Sequence, residues 1–146
     1  MGALLADASA DDANLLYSFG EQIGLAFQLQ DDFLDVYGDT KVFGKAIGGD
    51  IVSNKKTFML INAFLRANEQ QRAELHRWVE ATEFVEQEKI AAVTRLYNEI
   101  GIDTLAKERI DHYFKQGLAC LEAVKIDAER KDQLTAYVYK LMKRNY

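Results

Sequence analysis

Apolar residues recur at helical spacing along nearly the whole chain. Ser9 to Asp12 has the S-x-x-D form of a capping box and predicts a helix start. From Asp12 the apolar pattern runs to Tyr37, and Gly38 offers a stop. Met1 to Ala8 reads as the tail of a preceding helix. Gly38 to Asn54 is the one loop-rich stretch, with Gly38, Gly44, Gly48 and Gly49 close together. A helix over Lys55–Arg66 places Phe58, Leu60, Ile61, Phe64 and Leu65 on its apolar positions, and Glu69–Thr82 is short and heavily charged. Val85–Ile100 shows the helical period at Ile90, Val93, Leu96, Tyr97 and Ile100, followed by Gly101. Helices over Asp103–Val124 and Asp127 to about Arg144 complete the pattern, with Asp103 and Asp127 where N-caps belong.

Proline is absent and strand-like alternation is scarce. The expected fold class is therefore all-α: about six antiparallel helices in one bundle, spanning residues 1–146 as a single helical domain. The length suits one domain with a real core, and no repeat, low-complexity tract or linker interrupts it.

The most concentrated chemistry lies in Phe27-Gln28-Leu29-Gln30-Asp31-Asp32-Phe33-Leu34-Asp35. On a helix, Asp35 lies four residues after Asp31 and three after Asp32, so the three carboxylates share one side, and Gln28 extends that stripe by a turn. Ile23, Leu25, Ala26, Phe27, Leu29, Phe33, Leu34 and Val36 surround them. A helix apolar nearly all round is normally buried, so the stripe is expected to line a cavity. Clustered carboxylates there would repel unless protonated or bridged by cations, and oxygen-only ligands suit Mg²⁺. The alternative is a solvated acidic face, against which the apolar surround weighs.

A second cluster follows about 15 residues downstream: Gly44-Lys45-Ala46-Ile47-Gly48-Gly49-Asp50-Ile51-Val52-Ser53-Asn54-Lys55-Lys56-Thr57. It offers two separated cations, Lys45 and Lys55, and a carboxylate, Asp50, on a glycine-rich segment. Phosphate recognition uses such a combination, with lysine point charges for the oxygens and backbone able to approach them. Carboxylates cannot bind a diphosphate directly, so Mg²⁺ would bridge while the lysines neutralise outer oxygens.

Together these stretches resemble the second aspartate-rich region of the trans-isoprenyl diphosphate synthases, the farnesyl, geranylgeranyl and longer polyprenyl diphosphate synthases. The resemblance covers Gly24 to Thr57 with specific motifs, and the later helices in general character. It implies the isoprenoid synthase fold and condensation of an allylic diphosphate with isopentenyl diphosphate. It further implies that Asp31 and Asp35 hold Mg²⁺, that Asp32 completes the cluster, and that Asp50 supports the metal shell. Lys45 and Lys55 would bind diphosphate oxygens, while Gln28 and Phe27 belong to the substrate-binding side. A homodimer in the cytoplasm is the matching expectation.

One departure stands out. A full synthase carries two aspartate-rich motifs, and Asp11-Asp12, followed by Ala13, Asn14 and Leu15, is not a second copy. The upstream basic residues that receive isopentenyl diphosphate are missing as well. The chain is thus expected to be the C-terminal portion of a larger synthase domain, inactive alone. Two alternatives stay open: a non-catalytic partner subunit or degenerate paralogue of such a synthase, and a terpene cyclase, whose Asp-x-x-Ser-x-x-x-Glu pattern fits Asp50 and Ser53 but meets Thr57 instead of Glu.

The remaining residues exclude several other classes. A net charge of −5 without a basic stripe argues against a nucleic-acid partner. No apolar run is long enough for stable membrane insertion. Lone Cys120 excludes an internal disulfide and reads as packing, and neither His76 nor His112 forms the Glu-x-x-His motif of a di-iron bundle. Lys140, Lys143 and Arg144 suit a helix C-terminus.

Overall fold

A computed structural model describes residues 7–38 and 47–142. Among them lie seven helices and no strand: α1 (Ala10–Tyr37), α2 (Gly49–Val52), α3 (Phe58–Arg66), α4 (Glu69–Glu80), α5 (Glu86–Ile100), α6 (Ile102–Ala123) and α7 (Ala128–Met142). The all-α expectation is met. Lys45, Lys143, Arg144 and nearly all of the expected Met1–Ala8 helix tail fall outside the described residues. The chain divides into two compact units, one of residues 29–38 and 47–108, the other of residues 7–28 and 109–142.

In the first unit, α5 packs against α2, α3 and α4, and α3 packs against α4. The apolar period of α5 is realised: Val93, Leu96 and Tyr97 are buried, with Met59 and Ala63 of α3 and Leu75 of α4. Three of the differences from the sequence expectation have a local reason. The third helix begins at Phe58, because Thr57 is in an extended conformation and its Oγ1 accepts the Leu60 N–H at 3.2 Å as an N-cap. Residues expected in the Gly38–Asn54 loop include α2, entered through Gly48 at φ +90°. Only glycine fits there: a Cβ would come within 2.6 Å of the Ile90 side chain. Asp103 is in the first turn of α6 and does not cap it, since Gly101 ends α5 at φ +79° and the chain re-enters helix at Ile102. Its charge still suits a helix N-terminus. The capping box that starts α4 pairs the Asn68 side chain with Gln71 N–H and the Gln71 side chain with Asn68 N–H.

In the second unit, Ala26, Phe114 and Val138 form a buried cluster, with Phe19, Ile23, Tyr113, Leu118 and Met142 packed on it. Gly117 permits the approach of α1 to α6 here, as a Cβ would meet Ile23 Cδ1 at 2.7 Å. The Ser9–Asp12 cap is present: Ser9 Oγ accepts the Asp12 N–H at 3.1 Å. The Asp12 carboxylate accepts from Ser9 Oγ at 2.8 Å and from the Lys125 backbone N–H at 2.8 Å. One carboxylate thus ties the start of α1 to the segment joining α6 and α7.

The Lys125 backbone N–H, followed by the Ser9 hydroxyl, holds the Asp12 pKa below its ordinary value. A depressed carboxyl pKa contributes stability above the unfolded-state pKa and loses it as pH falls through the folded value. Asp12→Asn is expected to lower the thermal midpoint near neutrality, with the difference from the parent shrinking to nothing on acidification below the Asp range. Paired melts across pH check this.

Candidate functional site

The last three turns of α1 project side chains to different surroundings. Gln28 and Asp31 are exposed, Phe27 and Asp35 half-buried, and Asp32 buried at 8%. Gln28 and Asp31 therefore do not line an enclosed cavity as expected. The helix turns its apolar side inward through Phe33, Leu34 and Val36, and buries Gln30 with them. Ala26, within the other unit, is also fully buried. Gln30 stands next to the motif, yet nothing in the spacing of the sequence marks it for burial.

The structure draws Asp32, Asp35, Asp50 and Lys55 together. Lys55 Nζ donates to Asp32 Oδ1 at 2.7 Å and to Asp50 Oδ2 at 2.8 Å. Asp35 Oδ2 accepts the Asp50 backbone N–H at 2.8 Å, and the Asp35 carbonyl accepts the Gly48 N–H at 2.6 Å. Asp35 thereby fixes the entrance of α2 to the end of α1. The turn after α2 closes through Asn54 N–H to the Ile51 carbonyl and Lys55 N–H to the Asp50 carbonyl. Asn54, at φ +54°, adopts the left-handed conformation that asparagine tolerates better than most residues.

The charges follow this geometry. Hydrogen bonds to Asp32 and then Asp50 raise the Lys55 pKa above its ordinary value, so the ammonium is held charged. Burial raises the Asp35 carboxyl pKa, although the Asp50 N–H opposes that shift. Burial likewise raises the Tyr37 and Tyr97 hydroxyls, keeping both neutral. Tyr37 Oη donates to Asn98 Oδ1 at 2.8 Å, joining the end of α1 to α5.

Among the described residues, no three His, Cys, Asp or Glu side chains are gathered closely enough to hold a metal ion. The shared cation of Asp32 and Asp50 is Lys55 itself. The donor set nevertheless has the chemistry of a hard-cation site. Asp31, Asp32 and Asp35 on α1 and Asp50 on α2 offer oxygen alone, with no sulfur or imidazole beside them in the motif.

The same stretch of chain carries the likeness to known proteins. Residues 1–99 match the polyprenyl synthetase family model. The chain belongs to the polyprenyl synthetase family. It is 31% identical to a geranylgeranyl diphosphate synthase of Methanosarcina mazei over all of this chain and 43% of that protein. It is 40% identical to a short chain isoprenyl diphosphate synthase of Methanocaldococcus jannaschii over 51% of this chain and 23% of that one. Among solved structures, a Corynebacterium glutamicum geranylgeranyl pyrophosphate synthase complexed with isoprenyl diphosphate and magnesium superposes with a TM-score of 0.85 at 33% identity. That alignment covers 99% of this chain and 41% of the other. The chain thus has the helical fold of this family and spans less than half the length of these relatives.

One further buried side chain, Lys89, contacts the turn after α2 and belongs to none of the motifs. Lys89 lies four residues before Val93, on the apolar stripe of α5, and a charge at an apolar position is its signal in the sequence.

Lys55 is half-exposed, with 51% of its side chain accessible, whereas Asp32 is nearly enclosed. Removing the ammonium leaves Asp32 without its ion-pair partner, but solvent around Lys55 screens the loss. Lys55→Met is expected to destabilise the chain by about 1 kcal/mol. Adding Asp32→Asn should recover part of it, as read from urea denaturation of the two single variants and the double variant.

Proposed function

We propose that this chain forms part of the diphosphate site of a prenyltransferase that condenses an allylic diphosphate with isopentenyl diphosphate. The observation that carries the reading is the Asp32–Lys55–Asp50 arrangement, tied to Asp35, in a chain of this family. Asp31, Asp32, Asp35 and Asp50 would hold Mg²⁺, which supplies charge neutralisation between carboxylates and diphosphate. The carboxylate-only donor set supports that choice, as does the magnesium complex of the similar Corynebacterium glutamicum synthase.

Lys55 and Lys45 would bind diphosphate oxygens. For Lys55, the side chain is already charged and reaches solvent while anchored at Asp32, so it can meet an arriving anion without first acquiring a proton. An apolar cavity would shield the allylic cation from water. Gln28, exposed one turn before Asp31, and Phe27 beside it would position the substrate. The reaction class ionises the allylic carbon–oxygen bond, forms a carbon–carbon bond to isopentenyl diphosphate and ends with loss of a proton. Lysine charges that stabilise the departing diphosphate act where negative charge develops.

At the level of organisation, the chain would be the C-terminal portion of a larger synthase domain, inactive alone, working in a cytoplasmic homodimer. Its coverage of less than half of its relatives supports its being a portion of a longer domain. No described helix is long and apolar enough to cross a membrane.

The test is a prenyl-transfer assay with Mg²⁺, labelled isopentenyl diphosphate and an allylic diphosphate. It is run on this chain and on the product of the whole reading frame containing it. The latter should turn over, and Asp31→Ala should lower its kcat/KM by roughly 10²-fold. Absence of allylic turnover in that product, with diphosphate binding unchanged by Asp31→Ala, would overturn the proposal.

A further inference from the structure

Lys89 is the most unusual charged residue of the described structure: its side chain is enclosed, with a residue exposure of 1%. No carboxylate lies within ion-pair distance of it among the described residues, and burial lowers its pKa. An ammonium in such a place is costly unless hydrogen bonds replace its water. Here they come from one short stretch of chain. Nζ donates to Asn54 Oδ1 at 2.7 Å and to the Val52 carbonyl at 3.3 Å, and it sits 4.2 Å from the centre of the Phe84 ring. The other end of the Asn54 amide is also held, since Nδ2 donates to the Val79 carbonyl of α4 at 3.0 Å.

Asn54 is therefore gripped from two helices while its backbone is in the left-handed region. The next residue is Lys55. At the other end of the same segment, Asp35 fixes the Asp50 N–H. The segment from Asp50 to Lys55 is thus pinned in front by α1 and behind by α5, and it bears both groups that meet Asp32 directly or through the shared ammonium. A methionine at position 89 would fill the same volume without desolvating a charge, so packing alone does not account for a lysine.

We propose that Lys89 is a positioning residue: from α5 it holds the Val52–Asn54 turn so that Lys55 and Asp50 face Asp32. Its functional consequence rests on the diphosphate reading given above; its structural consequence does not. Lys89 touches none of the described carboxylates and need not reach a substrate. It acts through Asn54, and the conformation of that residue sets the direction in which Lys55 leaves the turn.

Two variants test this. Lys89→Met removes the grip while keeping an unbranched apolar stem. Asn54→Gly keeps access to the left-handed backbone but removes the amide that Lys89 holds. In each, hydrogen exchange of the amides of residues 53–57 should rise about tenfold relative to core amides of α5 and α3. Affinity for inorganic pyrophosphate in the presence of Mg²⁺, measured by calorimetry and corrected for the folded fraction, should fall about tenfold. In the product of the whole reading frame, KM for the diphosphate substrates should rise more than kcat falls.

A uniform rise in exchange over the whole first unit, with affinity per folded molecule unchanged, would reduce Lys89 to a core residue and overturn the proposal. So would Asn54→Gly indistinguishable from the parent in both measurements. If Lys89→Met does not fold, Asn54→Gly decides. If the unsubstituted chain binds no pyrophosphate with Mg²⁺, the diphosphate reading loses its support, and the exchange pattern alone decides whether Lys89 sets the turn.

Discussion

The Lys55 ammonium between Asp32 and Asp50 is the contact on which the arrangement of the acidic cluster turns. Two carboxylates facing each other without a cation would repel, the more so because Asp32 is nearly enclosed. With the ammonium in place, the end of α1 and the short α2 can approach. Asp35 then serves a backbone role, accepting the Asp50 N–H, which leaves the Asp50 side chain free to meet Lys55. Asp35 consequently does something different from Asp32 and Asp50, although composition alone makes them equivalent.

That cluster is supported from behind by helix packing. The fifth helix contacts α2, α3 and α4, and its buried Val93, Leu96 and Tyr97 supply the apolar floor on which the segment rests. Burial of such side chains contributes roughly 1.5–3 kcal/mol each, far more than a half-exposed ion pair. Packing therefore sets the stability of this unit, and the ion pairs set where charge is presented. The close Gly48–Ile90 approach expresses the same division: space at the helix surface is used to bring backbone near the site.

Much of this arrangement is legible in the order of residues alone. The described chain holds seven helices where the apolar pattern predicts about six; the added one is the four-residue α2, whose apolar content is too short to show a period. The helix after it starts at Phe58 rather than Lys55 because a threonine hydroxyl caps it, and the lysine is drawn instead to two acids. Burial of the acidic stripe is where pattern and structure part. Apolar residues all round α1 suggest enclosure, yet Gln28 and Asp31 are exposed and it is Asp32 that is buried.

The sequence by itself determined the helical class, most boundaries, and the aspartate and lysine spacing that carries the family likeness. Those features are local: helical period, caps and motif spacing act within a few residues. Only the tertiary structure decided that Lys55 pairs with an aspartate 23 residues away, that Asp35 caps a segment 15 residues on, and that Lys89 grips Asn54 across 35 residues. Such pairings depend on which helix faces are brought together in space, and side-chain packing between helices settles that; no local pattern records it.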